Sequence, residues 1–238
     1  MCCSYLIFSA ALSGLGLLVA ALVARARGFL IVAGLLAAPA GLADALFVPE
    51  YWAPEHVVSK YVSIEGMLFS FGNGVLIAAM PVIFWRGFRP GRRRLWQVIL
   101  RCSGPMLAGF AIFLIFWQQG LGSLMIMHAA FIGFAAMFLI LAVLGWLSAP
   151  VVLAGGLGFA LIYIAQAGLW LWLDPGALGY WSAASYLGTL PVWPHLPVEE
   201  VIWSALYGAL WASLMLYGFD IPVRERALGE GGGKGRLP

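Results

Sequence analysis

Polar positions in this chain fall in short clusters, and between them lie seven stretches of mostly apolar residues, at 4–24, 29–48, 61–85, 95–117, 121–147, 151–173 and 196–219. Each stretch reaches the roughly 20 residues that an α-helix needs to cross the hydrocarbon core of a bilayer. None shows the period-two alternation over short segments that marks the strands of a membrane β-barrel. The pattern predicts an all-α fold: an integral membrane bundle of seven transmembrane helices.

The polar clusters orient the bundle. Arg25 and Arg27 follow the first stretch, Arg86, Arg89, Arg92, Arg93 and Arg94 lie between the third and fourth, and Arg224, Arg226, Lys234 and Arg236 follow the seventh. Seven alternating helices put these eleven of the 13 cations on one side, and Lys and Arg in short loops mark the cytoplasmic side. The expected protein is a multi-pass cell-membrane protein, N-terminus outside and C-terminus in the cytoplasm. Composition agrees: 63% of residues are hydrophobic and 10% charged, against about 25% charged in a soluble domain. The net charge of +3 then reports orientation and argues against a nucleic-acid partner; the expected partner is the lipid bilayer. No basic segment and no small-residue cleavage site precede Arg25, so the first stretch reads as a retained helix, not a signal peptide. Cys2 and Cys3 are adjacent, Cys102 belongs near the opposite face, and no CxxC occurs, so the cysteines define no disulfide framework. The segment from Arg224, with its Gly231–Gly233 run, reads as a disordered tail.

The chain also resembles itself. Ile64–Ala78 aligns with Val198–Ala212 without a gap, matching Glu65 with Glu199, Phe69 with Trp203, Ser70 with Ser204, Gly74 with Gly208, Leu76 with Leu210 and Ala78 with Ala212. An acid and then a Tyr-Trp pair precede each copy: Asp44 with Tyr51–Trp52, and Asp174 with Tyr180–Trp181. The expected organisation is two parallel three-helix repeats, residues 1–86 and 121–220, joined by a linking helix 4 at 87–120 and followed by a cytoplasmic tail at 221–238. A linking helix restores the starting orientation, so such copies are related by an axis along the membrane normal.

Candidate chemistry follows from depth. A charge at the centre of a membrane helix costs at least about 2.5–3.5 kcal/mol, so intramembrane carboxyls are functional candidates by default. Glu65, Glu199 and Glu200 lie within the first turn or so of the third and seventh stretches, roughly 5–6 Å below the outer ends at 1.5 Å per residue. Asp44 reaches the same level, with His56, Lys60 and His195 nearby. At i+4 and i+8 from Glu65 stand Phe69 and Asn73, and from Glu199 stand Trp203 and Tyr207, so each acid is expected above a partly aromatic ridge. Glu200 is turned by about 100° from Glu199, so the two cannot face one pocket equally. These residues could form a structural polar network, with Tyr and Trp as the interfacial belt. Alternatively, apolar surroundings disfavour a carboxyl's charged form, an acid kept protonated can deliver its proton, and aromatic faces stabilise a cation formed beside them. Together these suit protonation of a carbon–carbon double bond in an apolar substrate. The candidate catalytic residues are Glu199, Glu65 and Glu200; the candidate substrate-binding residues are Asp44, Trp52, Phe69, Asn73, Trp181, Trp203 and Tyr207.

Other chemistries lack their residues. There is no HExxH, Cys/His cluster, GxSxG, Walker loop or aspartate-rich pair for a magnesium–diphosphate site, so neither metal nor cofactor is expected. Gly14–Leu15–Gly16 lies inside a membrane stretch, where a dinucleotide-binding turn cannot form. His128 stands alone in the fifth stretch and reads as a hydrogen-bonded core residue. No lysine lies in the seventh stretch, which removes the attachment point of a retinal photoreceptor.

The segment Leu196–Pro197–Val198–Glu199–Glu200–Val201–Ile202–Trp203 resembles the Pro-x-Glu-Glu motif of the small integral-membrane lycopene cyclase domain family. Asp44, Tyr51–Trp52–Ala53–Pro54 and Ser63–Ile64–Glu65–Gly66–Met67–Leu68–Phe69 are similar to that family's first-domain pattern, and the likeness spans roughly residues 4–219. The resemblance implies a fused two-domain carotenoid cyclase that closes ionone rings on the ends of an acyclic, lycopene-like carotene by protonation, ring closure and deprotonation. It implies Glu199 and Glu200 as essential acids, with Glu65 as the counterpart in the first copy. The first copy departs from the pattern: it lacks the proline and carries Gly66 where a second glutamate is expected. The alternatives are a transport or ligand-binding protein of the same fold, or a cyclase for a different terpene.

Overall fold

A computed structural model of the chain describes residues 4–48, 51–54, 57, 63–85, 88, 91, 93–118, 126–182, 188–191 and 193–221. It is all-helical, with seven helical segments long and apolar enough to cross a membrane, the architecture of a multi-pass membrane protein. They are α1 (Ser4–Leu22), α2 (Arg27–Ala37), α3 (Ile64–Phe84), α4 (Leu95–Gln118), α5 (Ile126–Val143), α6 (Ala149–Leu173) and α7 (Val198–Phe219). The second span reaches its length only with the 3₁₀ turns Ala38–Ala43 and the helical turn Asp44–Phe47 that continue α2. Apolar side chains cover the outside, Leu161 and Trp172 being 70% exposed; lipid is the solvent that suits them.

Local chemistry sets the helix ends. Ser63 caps α3, its Oγ accepting from the Gly66 N–H at 2.8 Å, which meets one of the free donors of a first turn. Glu65 and, in α7, Glu199 and Glu200 occupy the first turns, where the helix dipole favours negative charge. Beyond α5 the chain turns at Gly145, whose φ of +72° lies where glycine meets no Cβ penalty.

Helix α3 packs against α1 and α2, α7 packs most extensively on α6, and α5 leans on α4. The close crossings use small residues, as is usual where no hydrophobic force acts between helices in lipid. A side chain at Gly74 would strike Ala37 and Ala33 of α2; one at Gly208 would strike Gly155 and Phe159 of α6.

The two ends of the bundle differ in chemistry. At one end Arg25 donates to the Val82 carbonyl at 2.6 Å, and Asp220, at φ +58° just past α7, pairs with Arg93 at 2.6 Å and Arg101 at 3.4 Å. The Arg101 guanidinium also lies over the Tyr217 ring, 4.4 Å from its centroid. Arg86, Arg89, Arg92, Cys2, Cys3 and the tail from 222 lie outside the described residues. At the other end Trp52 and Trp181 form an antiparallel bridge. There the Ala53 N–H donates to Tyr180 O at 2.8 Å and the Ser182 N–H donates to Tyr51 O at 3.0 Å.

Candidate functional site

Beneath the Trp52–Trp181 bridge a cavity of about 640 Å³ opens between the helices, within the ~300–1,000 Å³ usual for small-molecule sites. Every span contributes: Tyr5 and Phe8 from α1, the 39–47 continuation of α2, Phe69 and Asn73 from α3, Phe110 and Phe113 from α4, Phe134 from α5, Tyr163 and Trp170 from α6, and Glu200, Trp203 and Tyr207 from α7. Leu42, Leu107 and Phe110 line it and are also 43%, 67% and 46% exposed. The cavity therefore reaches the apolar outer surface sideways, between the 3₁₀ segment after α2 and helix α4.

Among the described residues the wall carries two carboxyls, Glu200 and Asp44. Glu200 is buried. Trp181 Nε1–H donates to its Oε1 at 3.1 Å, the Tyr163 hydroxyl donates to its Oε2 through a short bond, and Tyr51 approaches the same carboxyl. An indole N–H can only donate, so Oε1 accepts from Trp181, and a proton on Glu200 Oε2 lies beside the Tyr163 hydroxyl. Tyr163 can accept as well as donate, which gives that proton a hydroxyl neighbour. Aromatic faces close the space: Trp203 stacks on Tyr207 at 5.2 Å, meets Tyr163 edge-on at 5.5 Å, and Trp52 lies 4.6 Å from Trp181.

Asp44 accepts from the Tyr5 hydroxyl at 3.4 Å. Its Oδ2 occupies the space into which a side chain at position 66 would grow. Gly66 is thus required by close approach, and the carboxyl missing from the first copy is replaced in space by one from the continuation of α2.

All seven candidate substrate-binding residues, Asp44, Trp52, Phe69, Asn73, Trp181, Trp203 and Tyr207, line this one cavity, together with Glu200. Glu65 and Glu199 do not line it, although both are fully buried. Glu65 Oε1 accepts from the Val57 N–H at 2.8 Å, which ties residue 57 to α3. Phe69 and Asn73 are i+3 and i+7 from Gly66, and Trp203 and Tyr207 are i+3 and i+7 from Glu200; at about 100° per residue these stand about 60° and 20° round the helix from that position, against about 40° and 80° from the acid before it.

His128 is not isolated: its Nε2 lies 4.0 Å from Glu199 Oε1. His195 is exposed, its Nδ1 3.2 Å from Leu190 O, away from the cavity. His56 and Lys60 lie outside the described residues. Sequence reading missed Tyr5, Tyr163 and Trp170 as wall residues; their one signal was a hydroxyl or indole N–H inside an otherwise apolar span. No group of three or more His, Cys, Asp or Glu among the described residues is placed to hold a metal ion. No protein-family model, curated protein or solved structure matches the chain.

Proposed function

We propose that this chain is a membrane-embedded isoprenoid cyclase that closes a ring on an acyclic carotene or another polyprenyl chain by acid–base chemistry, without net oxidation or reduction. The observation that carries the reading is the cavity: an aromatic, apolar space with Glu200 and Asp44 in its wall, each hydrogen-bonded by a tyrosine. The likeness of Pro197–Val198–Glu199–Glu200 to the lycopene cyclase motif points the same way.

In this mechanism the proton on Glu200 Oε2 adds to one carbon of a terminal double bond and leaves a cation on the other. The electron pair of a second double bond in the same chain attacks that carbon, forms the ring bond and moves the cation into the ring. Asp44 removes a proton from the adjacent carbon, which restores a double bond; the product is an isomer of the substrate. The proton returns to Glu200 between turnovers. Trp203, Trp181 and Tyr163 offer π-faces to the cation, each worth up to about 2 kcal/mol when water is excluded. The sideways opening lets an apolar chain enter from the bilayer, with the N-terminus outside and the C-terminus in the cytoplasm.

Expression in a lycopene-accumulating host, with chromatography of the pigments, tests the reading. Wild type yields cyclic products, and Glu200→Gln at matched protein level does not. A wild type inert on every polyprenyl substrate tried overturns the cyclase and leaves the second reading, a ligand-binding or transport protein, which the sideways opening of the cavity also fits.

A further inference from the structure

The cavity carries polar groups that the cyclisation does not use. Asn73 is fully buried in its wall, and neither its Oδ1 nor its Nδ2 has a hydrogen-bond partner among the described residues. The Tyr207 hydroxyl is in the same condition. Residues 73 and 207 stand on α3 and α7, which pack together, each seven residues past the position that faces the carboxyls, Gly66 and Glu200. At 1.5 Å per residue that is roughly 10 Å deeper in the membrane.

A buried amide without a partner is rare in a native protein and calls for an explanation. A hydrocarbon supplies none, because it can neither donate to Asn73 Oδ1 nor accept from Nδ2. We propose that the ligand of this cavity carries a hydroxyl or carbonyl oxygen, received by Asn73 and Tyr207 about 10 Å from the carboxyl end. The inference rests on reading the cavity as a polyprenyl site and narrows its ligand to an oxygenated terpenoid. An amide and a phenol together donate and accept, so either oxygen type fits. The carboxyls then act on one part of the chain while the deeper pair fixes its register, which decides the double bond that lies beside Glu200.

The test is binding to the purified full chain in nanodiscs, read by quenching of tryptophan fluorescence, since Trp52, Trp170, Trp181 and Trp203 line the cavity. The probes are geranylgeraniol and the acyclic C20 hydrocarbon of equal unsaturation without the hydroxyl. Wild type binds the alcohol about fivefold more tightly or better, the factor given by one net hydrogen bond of typical strength. Asn73→Leu brings the ratio of the two affinities close to one, and Tyr207→Phe lowers it part of the way; comparing ratios cancels the probes' different partitioning into lipid. Without ligand, Asn73→Leu leaves the melting temperature unchanged or raises it, because it removes an unpaired buried amide.

Equal binding of the two probes to wild type overturns the inference, as does an undiminished preference in Asn73→Leu. A large fall in melting temperature for Asn73→Leu also overturns it, since Asn73 is then satisfied within the protein. A preference for the alcohol in a protein inert on every polyprenyl substrate tried refutes the cyclase and keeps this inference; cyclisation of a pure hydrocarbon with no preference does the reverse.

Discussion

Glu200 and Glu199 are neighbours in sequence with different surroundings. Glu200 faces the cavity with Tyr163 and Trp181 on its two oxygens, whereas Glu199 turns towards His128. Glu200→Gln is nearly isosteric yet carries no carboxyl proton, so ring formation should fall by the ~10²–10⁴-fold that a positioned acid contributes. Glu199→Gln should cost less activity and more stability. Pigment yield and melting temperature measured on both variants check this, and a larger catalytic loss from Glu199→Gln reverses the assignment. Gly66→Ala sets a methyl group against the Asp44 carboxylate and the Gly41 backbone. Overpacking of that kind costs about 1–3 kcal/mol, so its melting temperature should drop and its activity should fall with that of Asp44→Asn. The sequence names Glu65, Glu199 and Glu200 as the acids, and the cavity wall carries Glu200 and Asp44. Helical periodicity ties residues to one another, while which stripe faces inward depends on neighbouring helices that no local pattern names.

At the scale of the element, the seven spans were legible because length and apolarity alone make a membrane helix. Their internal form was less so. The expected span 29–48 is a helix only to Ala37, after which the chain tightens into 3₁₀ turns at Pro39 and Gly41, where Gly41 lies against the Gly66–Met67 backbone. Pro39 marks the tightening in the segment itself, but the approach of Asp44 to Gly66 that goes with it depends on packing against α3, which the 38–43 segment does not show. The aligned glycines behave as a pair: Gly74 sits where α3 meets α2, and Gly208 where α7 meets α6. If the two halves are repeats, Gly74→Val and Gly208→Val should each lower the melting temperature, by an amount corresponding to roughly 1–3 kcal/mol. A variant that melts like wild type at either site denies the equivalence there.

For the whole molecule, the reciprocal bonds between Ala53 and Tyr180 and between Ser182 and Tyr51 join the two Tyr-Trp pairs as a two-fold rotation would. The uneven packing of α5, which leans on α4, is a departure from such symmetry. Sequence legibility therefore ended at the pairing of helices: the count of spans follows from apolarity, but which surfaces meet follows from shape. Orientation rests on a separate force. Arg25, Arg93 and Arg101 gather at the end opposite the Trp52–Trp181 bridge, and the retention of Lys and Arg on the cytoplasmic side predicts that this end faces inward. Single cysteines introduced at Gly91 and at Ala53, in the full chain with Cys102 and the two N-terminal cysteines replaced, give the check. A membrane-impermeant maleimide added to intact cells should label the cysteine at 53 and reach the one at 91 only after permeabilisation. Labelling of both from outside breaks the odd count of spans, and the reverse pattern inverts the protein, which places the carboxyl-bearing end of the cavity towards the cytoplasm.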